Sequence, residues 1–331
     1  MTTTRLGIVL SPFASLPAAE FLAAAREADA RGYHTAWAGE VSNSDALTLL
    51  ALVAAHTERL HLATGVVPVQ TRTPVVLALA SITLDHAAPG RFALGLGLSS
   101  RIIVGDWHGL PFSPALTQIR EAVEIVRRAT AGERVNFEGK FYRVKNFRMT
   151  GPLPTRPLRI YLAALGPEML ELAGEIADGV LLNWMPPEAV PAALQHLEAG
   201  ARQAGRSLAD FEVAAFIRTS VTDEPGPARD LLARDITGYA IVDVYARFFR
   251  ASGFGAEVDA ITAAWKAGDR AGAVKQVSPR FLDGLGVVGP QAFCRERLAA
   301  FARAGLTMPV VFPVAAGGDP RALLGTLRAF P

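Results

Sequence analysis

The side chains and turns with chemical potential in this chain fall at the ends of short apolar runs. Gly39 and Glu40 close "HTAWAGE", and Gly65 and Val66 interrupt "LHLATGVVPV". Ser99, Ser100 and Arg101 follow "RFALGLGL", Ala163 to Gly166 follow "LRIYL", and Asn183-Trp184 end "GVLLNW". Glu40 is a carboxylate that can exchange a proton, orient a ligand, or simply cap the helix ahead of Ser42 and Asn43. A glycine inside an apolar strand, as at Gly65, marks a bulge or a close approach of backbone to ligand, or equally packing relief against a neighbouring helix. In "YLAALGPEMLELAGEIADGVLLNW" the small residues Ala163, Ala164, Leu165 and Gly166 enter a helix. The first turn of a helix leaves backbone N–H groups without intrahelical partners, which suits a phosphate. The same residues also make an ordinary strand-to-helix connection. Arg101 either balances such an anion or is a solvated surface group.

Several chemistries are excluded. No Gly-Lys-Ser/Thr follows a glycine-rich loop, so this is no triphosphate-binding loop. No two histidines have metal-ligand spacing and HExxH is absent; His86 and His108 stand alone. No metal site is expected. Ser99-Ser100 lacks the G-x-S-x-G context of a hydrolase nucleophile. The net charge of +2 is spread along the chain, without the basic face that nucleic acid requires. Cys294 is the single cysteine, so no disulfide or zinc framework forms within the chain. Half of the residues are apolar, enough for a large core. The longest apolar run, "ALTLLALVAA", stops at His56, well short of the roughly 18 residues of a membrane span. It reads as a buried helix, and the expected setting is the cytoplasm.

Strands and helices alternate along the chain. "RLGIVLS" is a strand; Ser15 as cap, Pro17 in the first turn and Gly32 as terminator bracket a helix over roughly 20–31. Strands follow in "HTAWAGE", "LHLATGVVPV", "RFALGLGL", "LRIYLAA", "GVLLNW", "FEVAAFIRTSV" and "MPVVFPV", with helices between. "VNFEGKFYRVKNF" is a hairpin turning at Glu138-Gly139, and 225–285 is mostly helical. Eight strands joined by helices, with no early G-x-G-x-x-G, predict a closed α/β TIM (β/α)8 barrel rather than an open dinucleotide fold. We expect one domain over 1–331, with insertions near 98–155 and 225–285. Ligands bind such barrels at the C-terminal strand ends, where all the residues above fall.

The blocks "GYHTAWAGE", "LATGVVPVQTRTPVVLA", "GRFALGLGLSSR", "LAALGPEMLELAGEIADGVLL" and "GVVGPQAFCRERLAAFARAGL" resemble the bacterial luciferase-like monooxygenase superfamily. Within it they are most similar to members using the deazaflavin coenzyme F420. The resemblance implies a luciferase-like barrel, commonly a homodimer, with F420 across its mouth. It implies a non-prolyl cis peptide at Gly65-Val66 behind the ring, with the phosphate at Ala164, Leu165 and Gly166. The remaining cofactor-facing positions would be Gly39, Ser99, Arg101, Ala163 and Asn183. The implied activity is hydride transfer between F420 and a small organic substrate through C=C, C=N, C=O or an alcohol. A reduced-FMN monooxygenase and a barrel without catalysis are the alternatives. Relatives often carry histidine where this chain has Ser100, and Asp-His where it has Gly39-Glu40. Glu40, then Ser100, are therefore the candidates for proton transfer or orientation.

Overall fold

Eight parallel strands close into a ring in strict chain order. They are β1 (Gly7–Val9), β2 (Thr35–Ala38), β3 (His61–Thr64), β4 (Phe92–Gly97), β5 (Arg159–Ala163), β6 (Gly179–Asn183), β7 (Glu212–Val221) and β8 (Met308–Pro313). The ring closes where β8 pairs with β1, Gly7 opposite Val310. The computed structural model describes residues 5–113, 115–154 and 156–331. The expected TIM barrel is thus the architecture found, and among the described residues no helix is long and apolar enough to cross a membrane.

Inward side chains fill the barrel. Trp37 stacks on Tyr161 at 5.6 Å between ring centres and meets Phe216 edge-on at 5.9 Å. Below them the Tyr161 hydroxyl donates to Glu212 at 3.2 Å, and Arg5 pairs with the same carboxylate. A larger core of Leu, Val, Ile, Ala and Phe lies between the ring and its helices.

Local signals explain most helix ends. The helix Ala18–Arg31 ends at Gly32 with φ 89°, a left-handed turn that glycine adopts without a Cβ penalty. Its start differs from expectation: residues Ser11–Ser15 form a short 3-10 turn and Pro17, not Ser15, precedes the first turn. Asp45 and Thr73 cap Ala46–Ala54 and Pro74–Ala87 through the Thr48 and Val76 amides.

Two excursions leave the ring. After β4 come a π-helical turn (Ile102–Trp107) and the helix Leu116–Thr130, which packs against the helices Pro74–Ala87 and Pro167–Ile176. The hairpin Val135–Glu138/Arg143–Phe147 lies outside the barrel sheet, packed on the helices Pro74–Ala87 and Leu116–Thr130. Buried Glu121 holds its turn, accepting from the amides of Lys140, Phe141 and Tyr142 at 2.7, 2.9 and 3.0 Å. After β7, residues 226–285 form helices around a second apolar core that includes Trp184, Phe249, Phe254 and Phe281. An unanticipated strand, Gly286–Gly289, then pairs with the outer half of β7 beyond the reach of β6.

Candidate active site

The C-terminal ends of the strands open on a cavity of about 380 Å³. Phe216 and Phe312, 5.7 Å apart edge to face, form its apolar wall. Of the residues singled out from sequence, Gly39, Glu40, Gly65, Val66, Ser99, Ala163 and Asn183 line it.

β3 leaves the sheet at Gly65. The Gly65–Val66 peptide is cis, as the resemblance implied. The Gly65 N–H donates to Ala38 O at 2.7 Å, and the chain rejoins as Val67–Pro68 beside Leu96–Gly97. Thr64 bridges the interruption: its hydroxyl accepts from the Gly95 amide at 2.7 Å and donates to the Gly95 carbonyl at 2.8 Å. Glycine is needed where chains come this close. A Cβ at Gly95 would stand 1.9 Å from the Thr64 carbonyl oxygen, and one at Gly65 2.4 Å from the Phe216 ring. The segment beyond is braced from outside, where the Tyr142 hydroxyl donates to Val69 O at 2.6 Å.

Glu40 sits in the wall with both oxygens occupied. Arg72 donates to them at 3.0 and 2.7 Å, and the Ala46 amide adds a bond at 3.2 Å. Arg72 also bonds Asp45, so it ties the end of β2 to the loop after the bulge. The Ser99 amide donates to Gln70 at 3.3 Å. Ser100 lies off the cavity wall, its hydroxyl accepting from the Ile103 amide at 3.3 Å at the start of the π-helical turn. Arg101 is exposed, 5.9 Å from the Phe112 ring, and does not reach the cavity.

The small-residue turn divides. The Ala164 amide is used within the sheet, donating to Leu181 O at 3.2 Å, so that N–H is not open to a ligand. The amides of Leu165 and Gly166 have no partner among the described residues. Gly166 is the N-cap of the helix Pro167–Ile176, and a Cβ there would meet nothing within 4 Å. The turn runs from the mouth, which Ala163 lines, to a larger cleft of about 1020 Å³, which Leu165 and Pro167 line with Arg229, Arg280 and Arg297.

Besides the apolar wall, three polar residues in the mouth escaped the sequence reading: Arg218 on β7, and Tyr239 and Tyr245 from the second insertion. Arg218 is 5% exposed, bonds the Asn183 carbonyl oxygen, and lies over the rings of Trp184 (3.9 Å) and Phe312 (4.5 Å). Burial lowers its pKa. The Tyr245 hydroxyl accepts from Asn183 Nδ2 at 2.9 Å, and burial foremost, then Tyr239, pushes its pKa up to about 12. An arginine inside the apolar run "FEVAAFIRTSV" was the available signal for Arg218; nothing local marks the tyrosines.

The bulge at Gly65–Val66, the strand-end mouth and the helix N-terminus at Gly166 lie side by side. The luciferase-like monooxygenase family profile matches residues 4–308. The chain belongs to that family. It is an oxidoreductase by the same membership. A putative coenzyme F420-dependent oxidoreductase of Mycobacterium tuberculosis is 33% identical, covering 93% of this chain and 94% of its own. The 5,10-methylenetetrahydromethanopterin reductase of Archaeoglobus fulgidus is 27% identical over 86% of each chain. Among solved structures, the F420-dependent tetrahydromethanopterin reductase of Methanopyrus kandleri superposes with a TM-score of 0.83 at 25% identity, over 99% of both chains.

Proposed function

We propose that this protein transfers a hydride between coenzyme F420 and a small organic substrate, the reacting group being C=C, C=N or C=O/alcohol. The observation that carries this is the pair of open amides at Leu165 and Gly166 beside a mouth backed by the Gly65–Val66 bulge. The F420-dependent relatives support the choice of coenzyme. A deazaflavin supplies a hydride from a ring carbon and, unlike a flavin, reacts poorly with oxygen.

Gly65 and Val66 support the ring, with Gly39, Ser99, Ala163 and Asn183 around its edge. Leu165 and Gly166 donate to the phosphate. Glu40, fastened by Arg72, orients the end of β2 and is better suited to holding geometry than to giving up a proton. Ser100 acts through the Ile103 amide it caps, and Arg101 adds only remote positive charge. The apolar Phe216 and Phe312 keep water from the reacting face.

A reduced-FMN monooxygenase would use the same mouth and turn. The cleft beyond the turn has room for a coenzyme whose chain continues past the phosphate, as that of F420 does; of its arginines, Arg229 is paired with Asp283 and Arg280 with Glu257, and Arg297 bonds the Asp283 carbonyl. An inactive barrel is disfavoured by a mouth that is open and lined by polar groups. We further propose a single functional domain that forms a homodimer. Leu52, Val76 and Leu79 support this, standing 45–47% exposed on the helices Ala46–Ala54 and Pro74–Ala87.

The test is fluorescence titration of the apoprotein with F420 and with FMN, repeated on Gly166→Asp. Tight F420 binding that the new carboxylate abolishes supports hydride transfer. Preference for FMN moves the assignment to oxygen chemistry, and binding of neither removes it.

A further inference from the structure

Among the described residues Arg218 has no carboxylate partner. None of the ion pairs among the described residues includes it, although it is 5% exposed and lines the mouth. Its fixed acceptor is the neutral Asn183 side chain. Asp235 feels the charge but forms no pair with it. The faces of Trp184 and Phe312 offset part of the burial cost. A buried guanidinium without an anion remains expensive to keep.

The surrounding groups are also donors. Tyr245 already accepts from Asn183 Nδ2 through its oxygen, so its own O–H is left to donate. Tyr239 lines the same wall, 4.7 Å from Tyr245 between ring centres. Asn183 presents its carbonyl to Arg218 and its amide to Tyr245, fixing both with one side chain. A guanidinium fork held in place and flanked by phenol hydroxyls matches a planar oxyanion.

We propose that Arg218, Tyr239 and Tyr245 form the substrate's carboxylate subsite, so that the substrates are small organic acids rather than neutral carbonyls or alcohols. Arg218 and Tyr245 contact the carboxylate directly; Asn183 is a positioning residue. Phe216 and Phe312 then flank the substrate's apolar body. This rests on the reading that the mouth holds the coenzyme ring and the substrate together.

The experiment is calorimetric titration of the F420-loaded protein with two matched pairs, benzoate against benzamide and crotonate against crotonamide. Each carboxylate is expected to bind at least tenfold tighter than its amide. Arg218→Met should erase that preference while F420 still binds, and Tyr245→Phe should reduce it several-fold. Equal affinities in the wild type, or a preference that survives Arg218→Met, overturns the proposal. Loss of F420 affinity in Arg218→Met with the carboxylate preference intact assigns the oxyanion to the coenzyme, and likewise overturns it. Should Arg218→Met fail to fold by circular dichroism, Arg218→Lys keeps the charge without the fork and must still lower the preference. If wild-type protein binds no F420, the functional reading fails separately, and the same pairs titrated into the apoprotein still test the subsite.

Discussion

Replacing Gly95 by alanine probes the junction that supports the mouth. The new Cβ would lie 1.9 Å from the Thr64 carbonyl oxygen and 3.2 Å from Val66 Cγ1. The first contact is backbone to backbone within the barrel, so it cannot be relieved by turning a side chain. Overpacking of this kind costs about 1–3 kcal/mol. Separating the strands also strains the two hydrogen bonds that Thr64 makes to Gly95, each worth about 1 kcal/mol. The sum is about 3–5 kcal/mol, or a fall in melting temperature of roughly 6–10 °C at about 2 °C per kcal/mol for a chain of this size. Urea unfolding and scanning calorimetry measure it. Gly166→Ala is the internal control: its Cβ enters open space, and stability should stay within about 0.5 kcal/mol. Gly95→Ala should also weaken coenzyme binding, because the bulge hangs from the same junction. A Gly95→Ala protein within about 1 kcal/mol of wild type would refute the close packing of Thr64 on β4.

Further outcomes follow from other contacts. Glu121→Ala leaves three hairpin amides without their acceptor and should cost about 2–4 kcal/mol in urea unfolding, with faster proteolysis near residue 140. The stacked pair His34 and His61 at the strand starts has rings 4.6 Å apart; burial, then His61, lowers the His34 pKa to about 4, and burial, then Arg91, lowers that of His61. A histidine depressed in the folded state stabilises fully above the unfolded value of about 6.5. That stability is lost as the pH falls from there toward 4, so unfolding followed against pH should weaken over this window, and His34→Gln should flatten the loss. Glu40→Gln should lower kcat by less than about tenfold with the pH profile unchanged, whereas loss of one ionisation from the profile would make Glu40 the proton donor. Leu79→Glu should convert a dimer to a monomer by light scattering, and an unchanged mass would remove the apolar face from the interface.

The barrel was legible because each strand carries its own apolar run and some helices carry a clear stop, as at Gly32. The strand Gly286–Gly289 escaped notice because two of its four residues are glycine and its pairing is set by β7, far away in the chain. Ser15 has the right chemistry for a cap, yet the 3-10 turn around Pro12 shifts the helix start past it. In the site, Gly65 stood out because glycine is rare inside an apolar strand. Glu40 also stood out, but its partner Arg72 comes from a loop 32 residues on, which spacing does not reveal. Ala164 illustrates the limit most simply: nothing in its identity says that its amide is already bonded to Leu181. Tyr239 and Tyr245 reach the mouth only through the folding of the second insertion.

A crystal structure of the protein with oxidised F420 bound is the most direct measurement. The expected complex has the deazaflavin ring against Gly65–Val66 and phosphate oxygens about 2.7–3.2 Å from the Leu165 and Gly166 amides, with the chain beyond entering the cleft of Arg229 and Arg280. A ring bound away from the bulge, or a phosphate that leaves both amides untouched, would contradict hydride transfer in this mouth.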